Sequence, residues 1–236
     1  NLGRSEALSH DIVMLRNGDY SLRHISSGEV MHSNVGPANE ARLLYVEQSC
    51  LTKKLQNTSS NLSPLVVFDI GLGAATNALA TLKAWREIKD SGVPVRPLTI
   101  VSFEKDLTGL ALAFENKGKL PFLTEFSTEV SSILSEHEFV QDGFCWKVYE
   151  GDFCSEVLPF ISGPAEDKAE IIYFDFYSPK TNPELWTKLI FQLVHKSSKE
   201  AAELFTYSAS TRVRVALLLA GFYVGFGSST GAKRDT

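Results

Sequence analysis

The chain has 236 residues, with 23 Lys and Arg against 28 Asp and Glu and a formal net charge of −5. Hydrophobic residues make up 44% and charged residues 22%, an ordinary globular balance that excludes a disordered or collagen-like chain. Net acidity also excludes a small protein that coats nucleic acid non-specifically, because such binding rests on a basic surface.

Taken in chain order, the first elements are short. Turn signals at Asn17-Gly18-Asp19 and Gly36-Pro37 punctuate strand-like pieces. A helix is expected over 38–51, where Ala41, Leu44, Tyr45 and Gln48 share one face. The polar stretch 56–64 reads as a linker, dividing an N-terminal extension (1–62) from a core domain (63–236). Beyond it the pattern becomes regular. An apolar strand over 65–70 runs into Gly71-Leu72-Gly73, and a helix over 74–89 places Ala78, Leu79, Leu82 and Trp85 on one side. A strand over 98–103 ends at Glu104, a helix follows over 107–116, and further strands are expected at 145–149 and 171–174. Pro183 opens a helix over 183–195 as its first residue. A strand over 203–207, a helix over 210–220 closed by Gly221, and a last strand over 222–226 complete the chain. Strands alternating with helices of this length imply an α/β fold, a doubly wound and mostly parallel Rossmann-like sheet.

Cys50, Cys145 and Cys154 are too few, and odd in number, for a disulfide framework. The longest apolar run, 213–226, is broken by Arg214 and two glycines and is too short to cross a bilayer. The N-terminus has no apolar core of a signal peptide and no starting Met, so the expectation is a trimmed or partial chain from a soluble, reduced, cytoplasmic protein.

In a doubly wound sheet, ligands bind beyond the C-terminal ends of strands, where the strand order reverses. Asp69-Ile-Gly71-Leu-Gly73-Ala-Ala-Thr76-Asn77 follows a strand and opens a helix, with two glycines that allow a tight turn and close approach of a ligand. Thr76 stands where a dinucleotide fingerprint needs its last glycine, and the acidic Asp69 suits a ligand carrying an ammonium. S-adenosylmethionine is such a ligand. The plain alternative is a glycine-rich connector. Glu104 can accept hydrogen bonds from both hydroxyls of a ribose, or is an ordinary solvated carboxylate. Asp152, after the third strand, can reach an adenine amino group, although Gly-Asp is also a common turn pair. Asp175 ends the strand over 171–174 and begins a loop stiffened by Pro179 and Pro183. A carboxylate there can hold and desolvate a nucleophilic amine, or serve only as a turn residue.

Other chemistries find no support. Gly227-Ser-Ser229-Thr-Gly231 has the spacing of a nucleophile elbow, but no His follows it. There is no phosphate-binding G-x-x-x-x-G-K-[ST] loop, and the five histidines are scattered without metal-ligand spacing.

Four pieces of the chain, spread from Gly28 to Lys233, resemble the methyltransferase domain of the bifunctional tRNA 5-methylaminomethyl-2-thiouridine biosynthesis proteins and of stand-alone MnmC-like relatives without the oxidase domain. They are Met31 to Ala41 with Tyr45-Val46; Asp69 to Asn77; Asp175 to Trp186, matching at Asp175, Pro179, Asn182, Pro183 and Trp186; and Thr206 to Arg214 with Gly221 and Gly231-Ala-Lys233-Arg234. Two departures stand out: Ala74-Ala75 replaces a Thr-Gly pair, and Phe176 replaces a glycine. Ala75 is expected to fit if its φ is negative.

The resemblance implies methyl transfer from S-adenosylmethionine to the amine of 5-aminomethyl-(2-thio)uridine at the tRNA wobble position. It implies Asp175 as the catalytic residue, and Asp69, Gly71, Gly73, Asn77, Glu104 and Asp152 as cofactor-binding residues. Phe176, Tyr177, Pro179, Lys180, Arg212, Lys233 and Arg234 would meet the tRNA anticodon loop. No metal or membrane is implied, and a separate oxidase or precursor-modifying enzyme is an expected partner. Residues 207–236 carry four basic side chains against one acidic, a small basic edge suited to phosphate contact. Two other readings stay open: a small-molecule methyltransferase or aminopropyltransferase of the same fold, and a non-catalytic nucleotide- or tRNA-binding module.

Overall fold

The computed structural model describes residues 9–31, 36–58, 63–225 and 227. An antiparallel hairpin, β1 (His10–Met14) and β2 (Tyr20–His24), precedes the main sheet. That sheet has six strands: β3 (Leu65–Ile70), β4 (Leu98–Glu104), β5 (Glu138–Gln141), β6 (Phe144–Glu150), β7 (Ala169–Phe174) and β8 (Ser198–Phe205). Their order is β5-β6-β4-β3-β7-β8, parallel throughout except for the β5–β6 pair.

All six residues of β3 are buried, so its run is continuously apolar save for Asp69, as a central parallel strand requires. Alternate residues serve opposite layers. Leu65 and Val67 pack with α2 (Leu51–Gln56), α3 (Thr76–Asp90), α4 (Thr108–Glu115) and α6 (Ser127–Glu136), the last preceded by the short α5 (Pro121–Glu125). Val66, Phe68 and Ile70 pack on the other side, with α7 (Phe153–Glu156), α8 (Leu158–Ser162), α9 (Lys188–Lys196) and α10 (Thr211–Ala220). The sequence-based strands at 65–70, 98–103, 145–149 and 171–174 thus form the centre of the sheet. Ala78, Leu79, Leu82 and Trp85 are buried along α3, as their spacing predicts.

Four expectations are corrected. The helix over 38–51 is three pieces: α1 (Pro37–Ala41), a π-helical segment Arg42–Glu47, and α2, separated by Cys50 at φ +51. The wider winding buries Leu44, Tyr45 and Val46 consecutively, which an α-helical period does not allow. Pro183 opens only a 3-10 turn, Pro183–Leu185; α9 starts later, where the Thr187 hydroxyl accepts from the Ile190 N–H. The strand expected at 203–207 is β8, longer and earlier. Residues 222–225 form no strand, because Gly221, at φ +109, closes α10 and the chain leaves the sheet. Residue 226 lies outside the described residues.

The described residues of the N-terminal extension contribute to the main core. Leu22, Leu44, Tyr45, Leu51 and Leu55 belong to the same core cluster as Leu65 and Val67. Among the described residues, no helix is long and apolar enough to cross a membrane.

Candidate active site at the sheet's switch point

Strand order reverses between β3 and β7: β4 and β6 lie to one side of β3, β7 and β8 to the other. Register aligns Ile70 with Phe174, so the chain leaves both strands side by side. The Asp175 N–H donates to the Ile70 carbonyl at 2.8 Å, and the Gly71 N–H donates to the Phe103 carbonyl at 3.0 Å. Gly71 has φ +92, and a Cβ there would stand 2.8 Å from the Asp175 carbonyl oxygen. Only glycine lets these two backbones approach so closely. Gly73, at φ +52, lies under Met31, whose sulfur would be 3.0 Å from an added Cβ. Ala75 does not meet the condition of a negative φ: it sits at φ +62, in the left-handed region, directly before α3.

A cavity of about 280 Å³ opens here, walled by the glycine loop, the start of α3, Glu104, Asp175 and segments on either side of the sheet. Asp175 is half-buried, and its Oδ2 accepts a hydrogen bond from the Asn77 amide at 2.7 Å. Burial pushes the Asp175 carboxyl up to about 7; Tyr45 and Asn77 pull it down, and the Glu40 charge pushes it up. The Tyr45 hydroxyl is fully buried. Glu104 Oε2 accepts from the Gly73 N–H at 2.9 Å and Oε1 from the Lys105 N–H at 2.8 Å. Burial raises the Glu104 carboxyl, while these two N–H groups favour its charged form.

The other expected residues divide by position. Asp69 lies behind the loop, 1% exposed, accepting from the Ser102 hydroxyl at 2.9 Å. Its other oxygen has no partner, and burial pushes the carboxyl up to about 8. Asn77 lines the cavity with its amide committed to Asp175. Asp152 is exposed before α7, outside the cavity wall. Phe176 and Tyr177 line the cavity. Phe176 packs edge-on against Phe174 and Phe153, and its carbonyl accepts from the Tyr207 hydroxyl at 2.8 Å. The Tyr177 hydroxyl shares a 2.8 Å hydrogen bond with His10 Nε2, and its ring packs against His10 and His24. Pro179 is half-buried beyond the wall, and Lys180 and Arg212 are exposed away from it. Lys233, Arg234 and residues 228–231 of the Gly-x-Ser-x-Gly match lie outside the described residues.

The structure adds Glu29, Met31, Glu40 and Tyr207 to the wall. Glu29, just beyond β2, accepts from the Ser178 N–H at 2.8 Å, from the Ser178 hydroxyl at 2.9 Å, and from the Thr181 hydroxyl. It clamps the loop that follows Asp175. No local spacing signals this pairing, because the partners are 149 residues apart. Met31, Glu40 and Tyr207 fall within segments that carry the family resemblance, without a residue-level signal of their own. Among the described residues, the wall holds four carboxylates, Glu29, Glu40, Glu104 and Asp175, and no Lys, Arg or His. A larger groove of about 720 Å³ lies between α3, α5 and the π-helical segment. Its walls are mostly helix flanks, with Arg42–Glu47 and Lys83–Glu125 ion pairs, joined by Asp19 and Tyr20 at the start of β2, and no residue of the six-stranded sheet lines it.

The glycine loop and Glu104 fit an adenosyl-methionine cofactor: a backbone cradle without Cβ atoms beside a carboxylate at the next strand end. Among the described residues, no group of three or more His, Cys, Asp or Glu is arranged to hold a metal ion.

Comparison with known proteins agrees. Residues 122–236 match a family model described as S-adenosyl-L-methionine-dependent methyltransferase. The chain is 28% identical over 219 residues to the tRNA 5-methylaminomethyl-2-thiouridine biosynthesis bifunctional protein MnmC of Aeromonas hydrophila, covering 88% of this chain and 32% of that protein. The Ralstonia nicotianae protein of the same name is 31% identical over 214 residues, covering 88% and 31%. The chain therefore spans about a third of the length of these relatives. Among solved structures, MnmC2 from Aquifex aeolicus superposes with a TM-score of 0.73 at 26% identity, covering 95% of this chain and 68% of that one.

Proposed function

We propose that this chain is an MnmC-like, S-adenosylmethionine-dependent methyltransferase domain and that it methylates the primary amine of 5-aminomethyl-(2-thio)uridine at the wobble position of tRNA. The observation that carries the reading is Asp175 joined to the glycine loop at the switch point, inside a cavity lined by carboxylates without a basic side chain among the described residues. Such a cavity favours cationic groups and suits an amine acceptor.

Bound S-adenosylmethionine supplies an electrophilic methyl group, whose bond to sulfur breaks as the bond to nitrogen forms. Gly71 and Gly73 would cradle its methionine part and Glu104 would accept from its ribose. Asp69 shapes the strand end behind them, and Asp152 stands on the adenine side. Asn77 acts through Asp175, which orients the amine nitrogen. Phe176 and Tyr177 close the acceptor side around the base, with Pro179 stiffening that loop. Lys180, Arg212, Lys233 and Arg234 would meet anticodon-loop phosphates outside the cavity. Residues 1–62 serve as an extension that completes the site rather than a second catalytic unit. The setting is cytoplasmic, and a separate oxidase or precursor-modifying enzyme provides the aminomethyl group.

Mass spectrometry of wobble nucleosides from cells lacking the protein tests the reading. Accumulated 5-aminomethyl-uridine is the expected result. An unchanged nucleoside profile, with S-adenosylmethionine binding retained in calorimetry, would move the assignment to another acceptor.

A further inference from the structure

The side chain of Tyr177 is held from outside its own loop. Its hydroxyl meets His10 Nε2 at 2.8 Å, a bond between residues 167 positions apart that reaches into β1 of the N-terminal hairpin. The His24 ring, in β2, packs on Tyr177 at 5.0 Å between centroids with a tilt of 33°. Beyond His10 the hydrogen bonds continue. His10 Nδ1 meets the Ser9 hydroxyl at 2.8 Å, Ser9 meets the Thr108 hydroxyl at 3.1 Å, and Thr108, the first residue of α4, donates to Asp106. A carboxylate at the end of such a chain can only accept, so the chain has one direction. Each hydroxyl donates outward, His10 carries its proton on Nδ1, and Nε2 is left to accept from Tyr177.

We propose that His10 is a positioning residue for the acceptor: by holding the Tyr177 hydroxyl, it fixes the ring against which the acceptor's uracil base stacks beside Asp175. The inference rests on the reading of this site as a wobble-uridine methyltransferase. Tyr177 lines the cavity with Asp175 and Glu104, whereas His10 does not line it and so acts through Tyr177. The loop backbone has its own anchors. The Tyr177 carbonyl accepts from the Trp186 indole N–H at 2.7 Å, and Glu29 holds the N–H and hydroxyl of Ser178. Neither anchor sets the direction of the Tyr177 ring; His10 and His24 do. An aromatic face stacks on a base without fixing its own orientation. A ring free to turn would have to be ordered when the base arrives, and that cost would weaken acceptor binding. A ring held in advance avoids the loss.

Protonation states agree with this direction. Burial, then the charges of Glu104, Glu29 and Asp106, pushes the Tyr177 hydroxyl well above its ordinary range, so it keeps its proton and stays a donor. Burial, then the charge of His24, holds the His10 imidazole below its ordinary range, with Asp106 and Asp11 pulling the other way. A neutral imidazole keeps one nitrogen as an acceptor, as the bond to Tyr177 requires. The N-terminal hairpin thereby reaches the acceptor side of the cavity through one side chain, while Glu29, just beyond β2, reaches the same loop through its backbone neighbour Ser178.

The test compares wild type, His10→Ala, His10→Gln, Tyr177→Phe and the double variant His10→Ala with Tyr177→Phe on the full chain, using S-adenosylmethionine and tRNA bearing 5-aminomethyl-uridine. His10→Ala and Tyr177→Phe should each raise KM for the tRNA about two- to tenfold, the range of one hydrogen bond, and leave kcat and cofactor affinity within about twofold. The double variant should be no worse than either single one, because both remove the same bond. His10→Gln, whose amide oxygen can accept from the same hydroxyl, should recover much of the lost KM. An unchanged KM in His10→Ala, additive losses in the double variant, or no recovery in His10→Gln overturns the proposal. NMR of tyrosine-labelled protein separates this inference from the functional reading, because it needs no acceptor. The Tyr177 ring signals, assigned by their absence in Tyr177→Phe, should shift in His10→Ala and stay near wild type in His10→Gln. Unmoved signals in His10→Ala overturn the anchor even where the methylation assay succeeds. If the signals move as expected, yet wild type binds S-adenosylmethionine and leaves this tRNA unmethylated, the choice of acceptor fails instead.

Discussion

The Asn77 amide donates to Asp175 Oδ2 across 2.7 Å, linking the helix that follows the glycine loop to the loop that follows β7. Two segments 98 residues apart are thereby made into one site. The bond also favours the charged form of a carboxylate that burial holds at about 7.

This relation sets the first expectation. Asp175→Asn should keep S-adenosylmethionine binding, while methylation falls by about 10²–10⁴-fold, the range for losing a positioned acid–base group. Asn77→Ala should have a smaller effect on rate and move the acid limb of kcat/KM to higher pH, since one stabiliser of the carboxylate is gone. Calorimetry for the cofactor and a pH series of initial rates read both outcomes. Equal losses in the two variants, without a pH shift, would assign Asn77 a role independent of Asp175.

Asp69 predicts a dependence of stability on pH. Its carboxyl is held at about 8 in the folded protein by burial, against an ordinary value of 3.8. The unfolded chain thus gives up this proton at lower pH than the folded one. The resulting stability is full below about pH 4 and is lost as the pH rises towards 8. Asp69→Asn keeps an acceptor for the Ser102 hydroxyl and removes the titration. Urea unfolding at pH 5 and pH 8 should show a flatter slope for the variant and greater stability than wild type at pH 8. A wild-type slope would remove Asp69 from this role.

Glu29 ties the N-terminal hairpin to the acceptor loop through Ser178 and Thr181. Glu29→Ala leaves those donors without their acceptor, a loss of about 1–3 kcal/mol. Limited proteolysis should then cut within 176–182 faster, and the rate should fall more than cofactor affinity does. An unchanged cleavage pattern would show that the loop is held by Tyr177 and Trp186 instead, through the Trp186 indole N–H to the Tyr177 carbonyl at 2.7 Å.

Ala75 stands at φ +62 where the related pattern has glycine. The left-handed region costs an L-residue about 1–2 kcal/mol, but the Ala75 methyl is fully buried, and burying a group of that size contributes about 0.8 kcal/mol. Ala75→Gly should therefore stabilise the protein by no more than about 1 kcal/mol, a rise of about 2–4 °C in Tm for a domain of this size. Cofactor affinity should stay within twofold. A larger rise, measured by calorimetric melting, would show that the strain is not relieved by packing.

Much of this architecture is legible in local pattern. Continuous apolar runs at 65–70 and 171–174 mark central parallel strands, and Gly71-Leu72-Gly73 marks the turn at the end of one of them. Asp175 is recognisable because a buried strand must release its chain at a defined end. Periodicity is a local property, and it reports which residues face inward along one element. It fails where the winding changes, as at Arg42–Glu47, where a π-helical segment buries Tyr45 beside Asp175.

The sequence by itself determined the α/β class, the loop that approaches a cofactor and the strand end that carries Asp175, because backbone conformation and burial there follow from nearby residues. Tertiary structure alone decided which carboxylates share the cavity. It turned the Asn77 amide onto Asp175, sealed Asp69 with Ser102, brought Glu29 to Ser178 across 149 residues, and set Glu40 in the same wall as Asp175. Those pairings depend on strand register and on how the N-terminal extension docks, which no short window of sequence records.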